Sequence, residues 1–334
     1  MQEVDQTEQK PLNRDEINER IARFLGPEQV PKRYNIVTDT TDFFRVEYDD
    51  VVVLGGKPYL IRNNEREGRF GIDEQQKFWV KRARDLADGS VKIIKLVFHE
   101  RFQAKVGDIV FDCFRSPKKE GRILDLTRGH ARFMQGFWLT DVSGNLIRVI
   151  DFIRGKTLAD VVVTLGKDHE EYFFDYFPSV LDEYFELAEA IGFLHQQGEK
   201  HGDIRRDHII KDAETGNCRW IDFDFNYQHR ENMFGYDLFG LGNILVYLTG
   251  RGEVTVQELR ESGSPVCGQL KSSDMNIIFN NRVVNLKKVY PYIPESLNFV
   301  LLHFSAGANV FYENTDQLLH DLHEAREYLK NRQS

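Results

Sequence analysis

The sequence predicts an α+β protein in which a small β-rich lobe precedes a larger helical lobe. From about residue 46 to 155, short runs of β-branched and aromatic residues recur between turn residues, the mark of strands. Beyond Gly155, apolar residues recur instead at spacings of three and four, the period of a helix with one buried face. A length of 334 residues agrees with two lobes, at roughly 150 residues per domain.

In chain order, 1–45 reads as an extension with one helix, 46–155 as the first lobe and 156–334 as the second. Residues 1–12 read as a solvated tail. Asn13 with Glu16 makes a capping pattern, and Ile17, Ile21 and Phe24/Leu25 follow at helical spacing until Gly26-Pro27. The strands are VVVL, KPYLIR, KFWVKRA, VKIIKLVF, GFWLT and NLIRVIDF, with hairpin turns at Asp88-Gly89 and Ser143-Gly144-Asn145. Between those turns, Pro117 to Leu126 reads as a helix with Ile123, Leu124 and Leu126 as its apolar positions.

In the second lobe, Ser179 caps a helix carrying Val180, Tyr184, Leu187, Ile191 and Leu194, which ends at Gly198. Leu238, Leu241, Leu245 and Leu248 mark a second helix that stops at Gly250. Leu318, Leu322, Ala325 and Leu329 mark a third. A short strand pair, HIIK and CRWIDF, is joined by Thr215-Gly216-Asn217.

Composition excludes several function classes. The net charge of −9, without a long basic run, gives no support for nucleic acid as the main partner. Apolar runs such as Val51–Leu54 are too short for a transmembrane segment. The opening MQEVDQTEQK resembles neither a secretory signal nor an Arg-rich transit peptide. Cys113, Cys218 and Cys267 are too scattered for a disulfide framework or a CxxC metal site, so a cytoplasmic location is expected. No Walker A, HExxH or GxSxG motif is present. His320 and His323 lie one helical turn apart, but a surface helix face explains them better than a metal site.

The informative stretch is HGDIRRDHIIKDAETGNCRWIDFDF, residues 201–225. HIIK leaves the loop that holds Asp203, and CRWI returns antiparallel to deliver Asp222 to the same end, with His208 between them. Paired carboxylates on a rigid hairpin suit divalent-metal binding and nucleophile positioning. A lone Asp pair in a loop more often caps turns, so the surroundings decide. In the first lobe, Lys95 shares its strand face with Val91, Ile93 and Val97. It is the one charge on a face that reads as buried, and it needs a partner or a ligand.

His201-Gly202-Asp203, a position five residues on, and the strand pair ending Ile221-Asp222-Phe223 resemble the catalytic and metal-binding loops of the protein-kinase-like superfamily. Asp237 to Gly242 resembles the Asp-x-x-x-x-Gly helix start that anchors the kinase helical lobe. NLIRVIDFIRGKTLADVV resembles the last small-lobe strand, the hinge and the following helix. The resemblance covers about residues 55–330, in the right order. It implies a bilobal protein-kinase-like fold, with a small β-rich N-lobe and a larger helical C-lobe. The implied activity is ATP- and divalent-metal-dependent transfer of a γ-phosphate to a hydroxyl.

Carried over by position, the resemblance makes Asp203 the catalytic aspartate and Asp222 the ligand of Mg²⁺ (or Mn²⁺). Lys95 matches the lysine on the α- and β-phosphates and Glu120 its partner, with Lys81 the less favoured alternative to Lys95. Ile150 stands at the gatekeeper position, and backbone groups of Asp151 and Ile153 face the adenine edge. Ile93 stands where a small alanine normally faces adenine, and its bulk narrows the pocket. Gly68 and Gly71 are candidates for the phosphate-covering loop, although G-x-G-x-x-G is incomplete and a simple turn fits as well.

Several positions depart from the family. Gly202 replaces the arginine that grips a phosphorylated activation loop in many regulated protein kinases. Only fourteen residues separate Asp222 from Asp237, with no Ala-Pro-Glu motif. Asp224 replaces the usual glycine, as in aminoglycoside phosphotransferases and RIO-like kinases. His208 takes the second-metal position usually held by Asn, as in lipopolysaccharide-core sugar kinases; it either ligates metal or only hydrogen-bonds the loop. Arg205 keeps the cation of Ser/Thr protein kinases. Three activities follow: a protein Ser/Thr phosphotransferase first, then a kinase of a sugar or other small molecule, then a pseudokinase. The expected partners are ATP and a protein or sugar acceptor.

Overall fold

The computed structural model describes residues 13–69, 72–106, 109–228 and 232–332. Helix α1 (Arg14–Leu25) is followed by strands β1 (Ile36–Val37), β2 (Val51–Leu54), β3 (Lys57–Arg69), β4 (Ile72–Asp85) and β5 (Val91–Lys95). Next come β6 (Arg101–Val106), β7 (Ile109–Arg115), α2 (Pro117–Leu126), β8 (Gly136–Thr140), β9 (Leu146–Asp151) and β10 (Gly155–Thr157). Helices α3 (Leu158–Val162), α4 (His169–Glu171) and α5 (Phe177–Gln196) lead to β11 (Ile209–Asp212), β12 (Cys218–Trp220) and β13 (Phe225–Gln228). The chain closes with α6 (Gly235–Thr249), α7 (Val256–Glu261), α8 (Leu286–Val289), α9 (Glu295–Leu302) and α10 (Thr315–Asn331). The α+β class is as expected, with strands first and helices after.

The chain divides into two compact units. One takes residues up to His99 together with Pro117–Gly129 and Gln135–Phe152; the other takes Glu100–Ser116, His130–Met134 and everything from Ile153. The sequence suggested contiguous lobes, 46–155 and 156–334. The contacts place 100–116 with the helical unit because β7 pairs antiparallel with β13, from Phe225↔Arg115 to Gln228↔Asp112.

The first unit is built on a seven-stranded sheet in the order β1-β2-β3-β4-β5-β9-β8. Helix α1 carries both halves of the capping box, Asn13 and Glu16, and buries Ile17 and Ile21 against Tyr34, Val51, Leu60 and Leu86. Val52, Leu54, Tyr59, Ile94, Leu96, Ile147 and Val149 belong to the second apolar cluster of the sheet. Gly89 and Gly144 take positive φ in the turns before β5 and β9, where an L side chain is disfavoured.

In the second unit, Val180, Tyr184, Leu187, Ile191 and Leu194 of α5 are buried, as are Leu238, Leu241, Leu245 and Leu248 of α6 and the apolar positions of α10. Helix α5 begins at Phe177, not at a Ser179 cap. A π turn over Tyr172–Tyr176 feeds directly into it, and Pro178 sits in its first turn, where a missing N–H costs nothing. The hairpin β6–β7 is an element the sequence reading did not name. Its register runs from Arg101↔Phe114 to Val106↔Ile109. No helix among the described residues is long and apolar enough to cross a membrane.

Candidate active site

The first unit holds a buried charge cluster. Lys95 and Arg148 are paired across β5 and β9. The Lys95 ammonium donates to Glu120 Oε1 at 2.7 Å, and Arg148 Nε donates to Glu120 Oε2 at 3.0 Å. All three side chains are at most 6% exposed. Helix α2 delivers Glu120 from its first turn, with Ile123 and Leu124 buried beside it. Buried charges persist only when paired and hydrogen-bonded. Arg148 meets that condition further by donating to the Leu146 and Leu96 carbonyls at 3.0 and 3.3 Å.

The neighbouring predicted residues fall as follows. Ile93 pairs with Ile150 across the same strands; Ile150 is buried and Ile93 half-buried. The Asp151 carboxylate pairs with Lys92 at 2.6 Å, and its N–H donates to the Gln135 carbonyl at 2.9 Å, which leaves the backbone carbonyl as its candidate adenine contact. Ile153 is half-buried just ahead of β10, in the other unit. Lys81 donates to the Val46 carbonyl and to Asn64 Oδ1, and burial pushes its ammonium down to about 8. Gly68 lies within β3, between the paired residues Glu67 and Arg69, where the register shifts. Gly71 lies outside the described residues.

In the second unit, the hairpin β11–β12 does the positioning. Ile209 pairs with Trp220, and the Ile221 N–H donates to the His208 carbonyl, so Asp222 emerges beside the loop that holds Asp203. Trp220 anchors the hairpin by donating from Nε1 to the Leu187 carbonyl at 3.0 Å. The His208 ring lies between the two carboxylates, with Nδ1 3.7 Å from Asp203 Oδ2 and Nε2 3.6 Å from Asp222 Oδ2. Nδ1 also lies 2.8 Å from the Asp203 carbonyl, an acceptor only, so Nδ1 carries the proton. Nε2 faces the Asp222 carboxylate. Asp222 has φ of +68°, a left-handed conformation uncommon for non-glycine residues, though aspartate tolerates it better than most.

Asp222 and His208 would hold a divalent cation, the carboxylate suiting Mg²⁺ or Mn²⁺ and the imidazole nitrogen suiting Mn²⁺ better. Among the described residues no group of three or more His, Cys, Asp or Glu side chains converges to hold an ion. Two protein ligands suffice for Mg²⁺, which keeps waters and takes phosphate oxygens.

The loop that holds Asp203 hangs from Asp237 in the first turn of α6. Its fully buried carboxylate accepts the N–H groups of His201 and Gly202 at 2.7 and 2.9 Å and lies 3.1 Å from His195 Nε2. Burial alone would raise this carboxyl. The hydrogen bond from His195, the His195 and His201 charges and the Gly202 N–H outweigh it and hold Asp237 below the usual carboxylate range. Gly202 has φ of +91°, so the residue in the arginine position is also a backbone requirement. A Cβ on Gly240 would lie 2.5 Å from Ile204 Cβ, so α6 and the loop touch backbone to side chain there. Arg205 is forked onto Asp207 at 3.0 and 2.6 Å.

Two further charges escaped the sequence reading. Arg148 carried the same signal as Lys95: it is the charge between Leu146 and Ile150 on one strand face. Arg115 ion-pairs with Asp224 at 2.7 Å with both side chains 2% exposed, a contact over 109 residues that no local pattern announces. His320 and His323 are exposed on α10.

Neither a protein-family model nor a curated protein matches the chain. Among solved structures, the chain is similar to the kinase domain of PknI from Mycobacterium tuberculosis, crystallised as a point mutant. The two are 12% identical with a TM-score of 0.49, over 80% of this chain and 95% of that one.

Proposed function

We propose that the protein is an ATP- and divalent-metal-dependent phosphotransferase that moves the γ-phosphate to the hydroxyl of a protein Ser or Thr. The observation that carries this reading is the hairpin constellation in which one imidazole stands 3.7 Å from the Asp203 carboxylate and 3.6 Å from that of Asp222. In-line transfer needs a carboxylate to orient the attacking hydroxyl and accept its proton, and cations to hold the phosphates. Asp203 takes the first role. Asp222 and His208 hold Mg²⁺ or Mn²⁺, which neutralises charge on the nucleotide when bound. Lys95, steadied by Glu120, contacts the α- and β-phosphates. Ile93, Ile150 and backbone groups of Asp151 and Ile153 receive adenine, and the stretch holding Gly68 and Gly71 covers the phosphates. Arg205, oriented by Asp207, supplies a cation near the transferring group. Three free cysteines suit a reducing, cytoplasmic setting.

A sugar or other small-molecule acceptor is the second reading. It is favoured by the short segment after Asp222, of which β13 takes Phe225–Gln228 into a sheet with β7. Incubation with labelled ATP, Mg²⁺ or Mn²⁺, and separate protein and sugar acceptor pools tests both. Label in the protein pool that disappears with Asp203→Asn supports the first reading, and label only in the sugar pool supports the second. No label in either pool, together with no nucleotide binding, would overturn the enzyme reading.

A further inference from the structure

We propose that Arg115 is a positioning residue for Asp222: by clamping Asp224 two residues on, it fixes the left-handed turn that aims the Asp222 carboxylate at its metal. The inference rests on the phosphotransferase reading, in which Asp222 holds that metal.

The contacts converge on a few residues. The Arg115 guanidinium donates from Nη1 to Asp224 Oδ1 at 2.7 Å and from Nε to Glu100 Oε2 at 2.9 Å. It also lies over the Phe225 ring at 3.9 Å. The next residue, Ser116, donates its N–H to the Asp224 carbonyl at 2.6 Å. Strand β13 then pairs with β7 over four residues, and Lys200 donates to the Tyr227 carbonyl at 2.8 Å. On the other side, the Ile221 N–H is held by the His208 carbonyl. Asp222, at φ +68°, is thus pinned from both directions. A strained non-glycine conformation lasts only where its surroundings over-determine it.

The charge pair is informative because burial makes it costly. Well-packed apolar residues often serve stability as well as a buried ion pair does, whereas a forked arginine adds direction. Many kinase-like chains order this segment with a phosphate gripped by an arginine of the catalytic loop. Here that position is Gly202 at φ +91°, and Tyr227 is fully buried. Arg115 supplies the cation and Asp224 the anion from within the chain, so Asp224 to Gln228 are held without modification.

The test is Mn²⁺ binding by the full-length protein with saturating ATP, read by electron paramagnetic resonance, beside the affinity for metal-free ATP. Arg115→Met should weaken Mn²⁺ binding about tenfold or more, the usual effect of losing an outer-shell partner, and leave metal-free ATP affinity unchanged. Asp224→Asn should do the same. The double variant should be no worse than either single, because both break one link. Wild-type Mn²⁺ binding in a folded Arg115→Met protein overturns the proposal, as do effects that multiply in the double variant. Should Arg115→Met fail to fold, the near-isosteric Asp224→Asn carries the same two outcomes. A wild type that binds no Mn²⁺ with ATP sinks the phosphotransferase reading and the clamp together; normal wild-type binding with unchanged variants sinks the clamp alone.

Discussion

Lys95 and Arg148 face each other on adjacent strands and divide one carboxylate between them, Lys95 taking Oε1 of Glu120 and Arg148 taking Oε2. The division gives the two cations different jobs. Arg148 also binds two backbone carbonyls and is 1% exposed, so it is committed to the sheet. Lys95 is the one the sequence places beside the half-buried Val91, Ile93 and Val97.

Lys95→Met should therefore leave Glu120 anchored by Arg148. The melting temperature should fall modestly, while the rise produced by ATP·Mg²⁺ in the wild type should vanish. Glu120→Gln removes the shared counter-charge of two buried cations and should cost about 3–5 kcal/mol in denaturant unfolding. A Glu120→Gln protein as stable as wild type would contradict the shared-carboxylate account.

Binding and chemistry should separate at the hairpin. Asp222→Ala should abolish the metal-dependent part of the ATP thermal shift. Asp203→Asn should keep that shift and lose phosphate transfer by a factor on the order of 10² or more. Full transferase activity in Asp203→Asn would remove Asp203 from the mechanism.

His208 offers an imidazole nitrogen where an amide oxygen is usual, and imidazole suits Mn²⁺ and other transition ions better than Mg²⁺. His208→Asn should shift the ratio of Mn²⁺- to Mg²⁺-supported activity toward Mg²⁺. If the ring serves only its hydrogen bond to the Asp203 carbonyl, stability should drop and the ratio should stay where it was. The ratio, measured in a folded variant, decides.

Gly202→Ala tests the loop's backbone. At φ +91° a Cβ is disfavoured, and the Gly202 N–H is one of those that hold Asp237. A loss of roughly 1–2 kcal/mol is expected, with a larger fractional loss of turnover, since Asp203 is the next residue. Unchanged stability and turnover would mean that the loop tolerates another conformation.

Acid sensitivity should come partly from His169. Burial pushes its imidazole down to about 4, while the ring stacks on Tyr290 at 3.5 Å and bonds the Tyr292 hydroxyl and the Thr249 carbonyl. Between its unfolded value near 6.5 and about 4, the unfolded chain takes up a proton that the folded protein refuses. Stability is therefore whole above pH 6.5 and declines as pH falls toward 4. His169→Gln should flatten this part of the curve of unfolding free energy against pH. A slope identical to wild type would assign the sensitivity elsewhere.

Local features were legible in the residues because their causes are local. Pro117 to Leu126 was expected as a helix and is α2 to the residue, since a first-turn proline and nearby apolar positions define it without outside help. The hairpin that brings Asp203, His208 and Asp222 together was legible from two short strands and the turn Thr215-Gly216-Asn217. Alternation along one strand singled out Lys95. Applied to the next strand, the same argument would have found Arg148.

Other features have causes that lie far off in the chain. Hairpin β6–β7 is short and half-exposed, and its place is set by β13, more than a hundred residues later. The start of α5 depends on the π turn that leads into it, not on Ser179. Aspartate tolerates positive φ, but nothing local marks Asp222 rather than another aspartate; the contacts of Arg115, Ser116 and His208 on both sides of it come from distant segments. Periodicity and turn chemistry act through neighbours in the chain, so elements and their order can be read from letters. Ion pairing and strand addition between distant segments depend on where the folded chain brings them, so the clamp on Asp222 and the second cation on Glu120 were settled only by the packed structure.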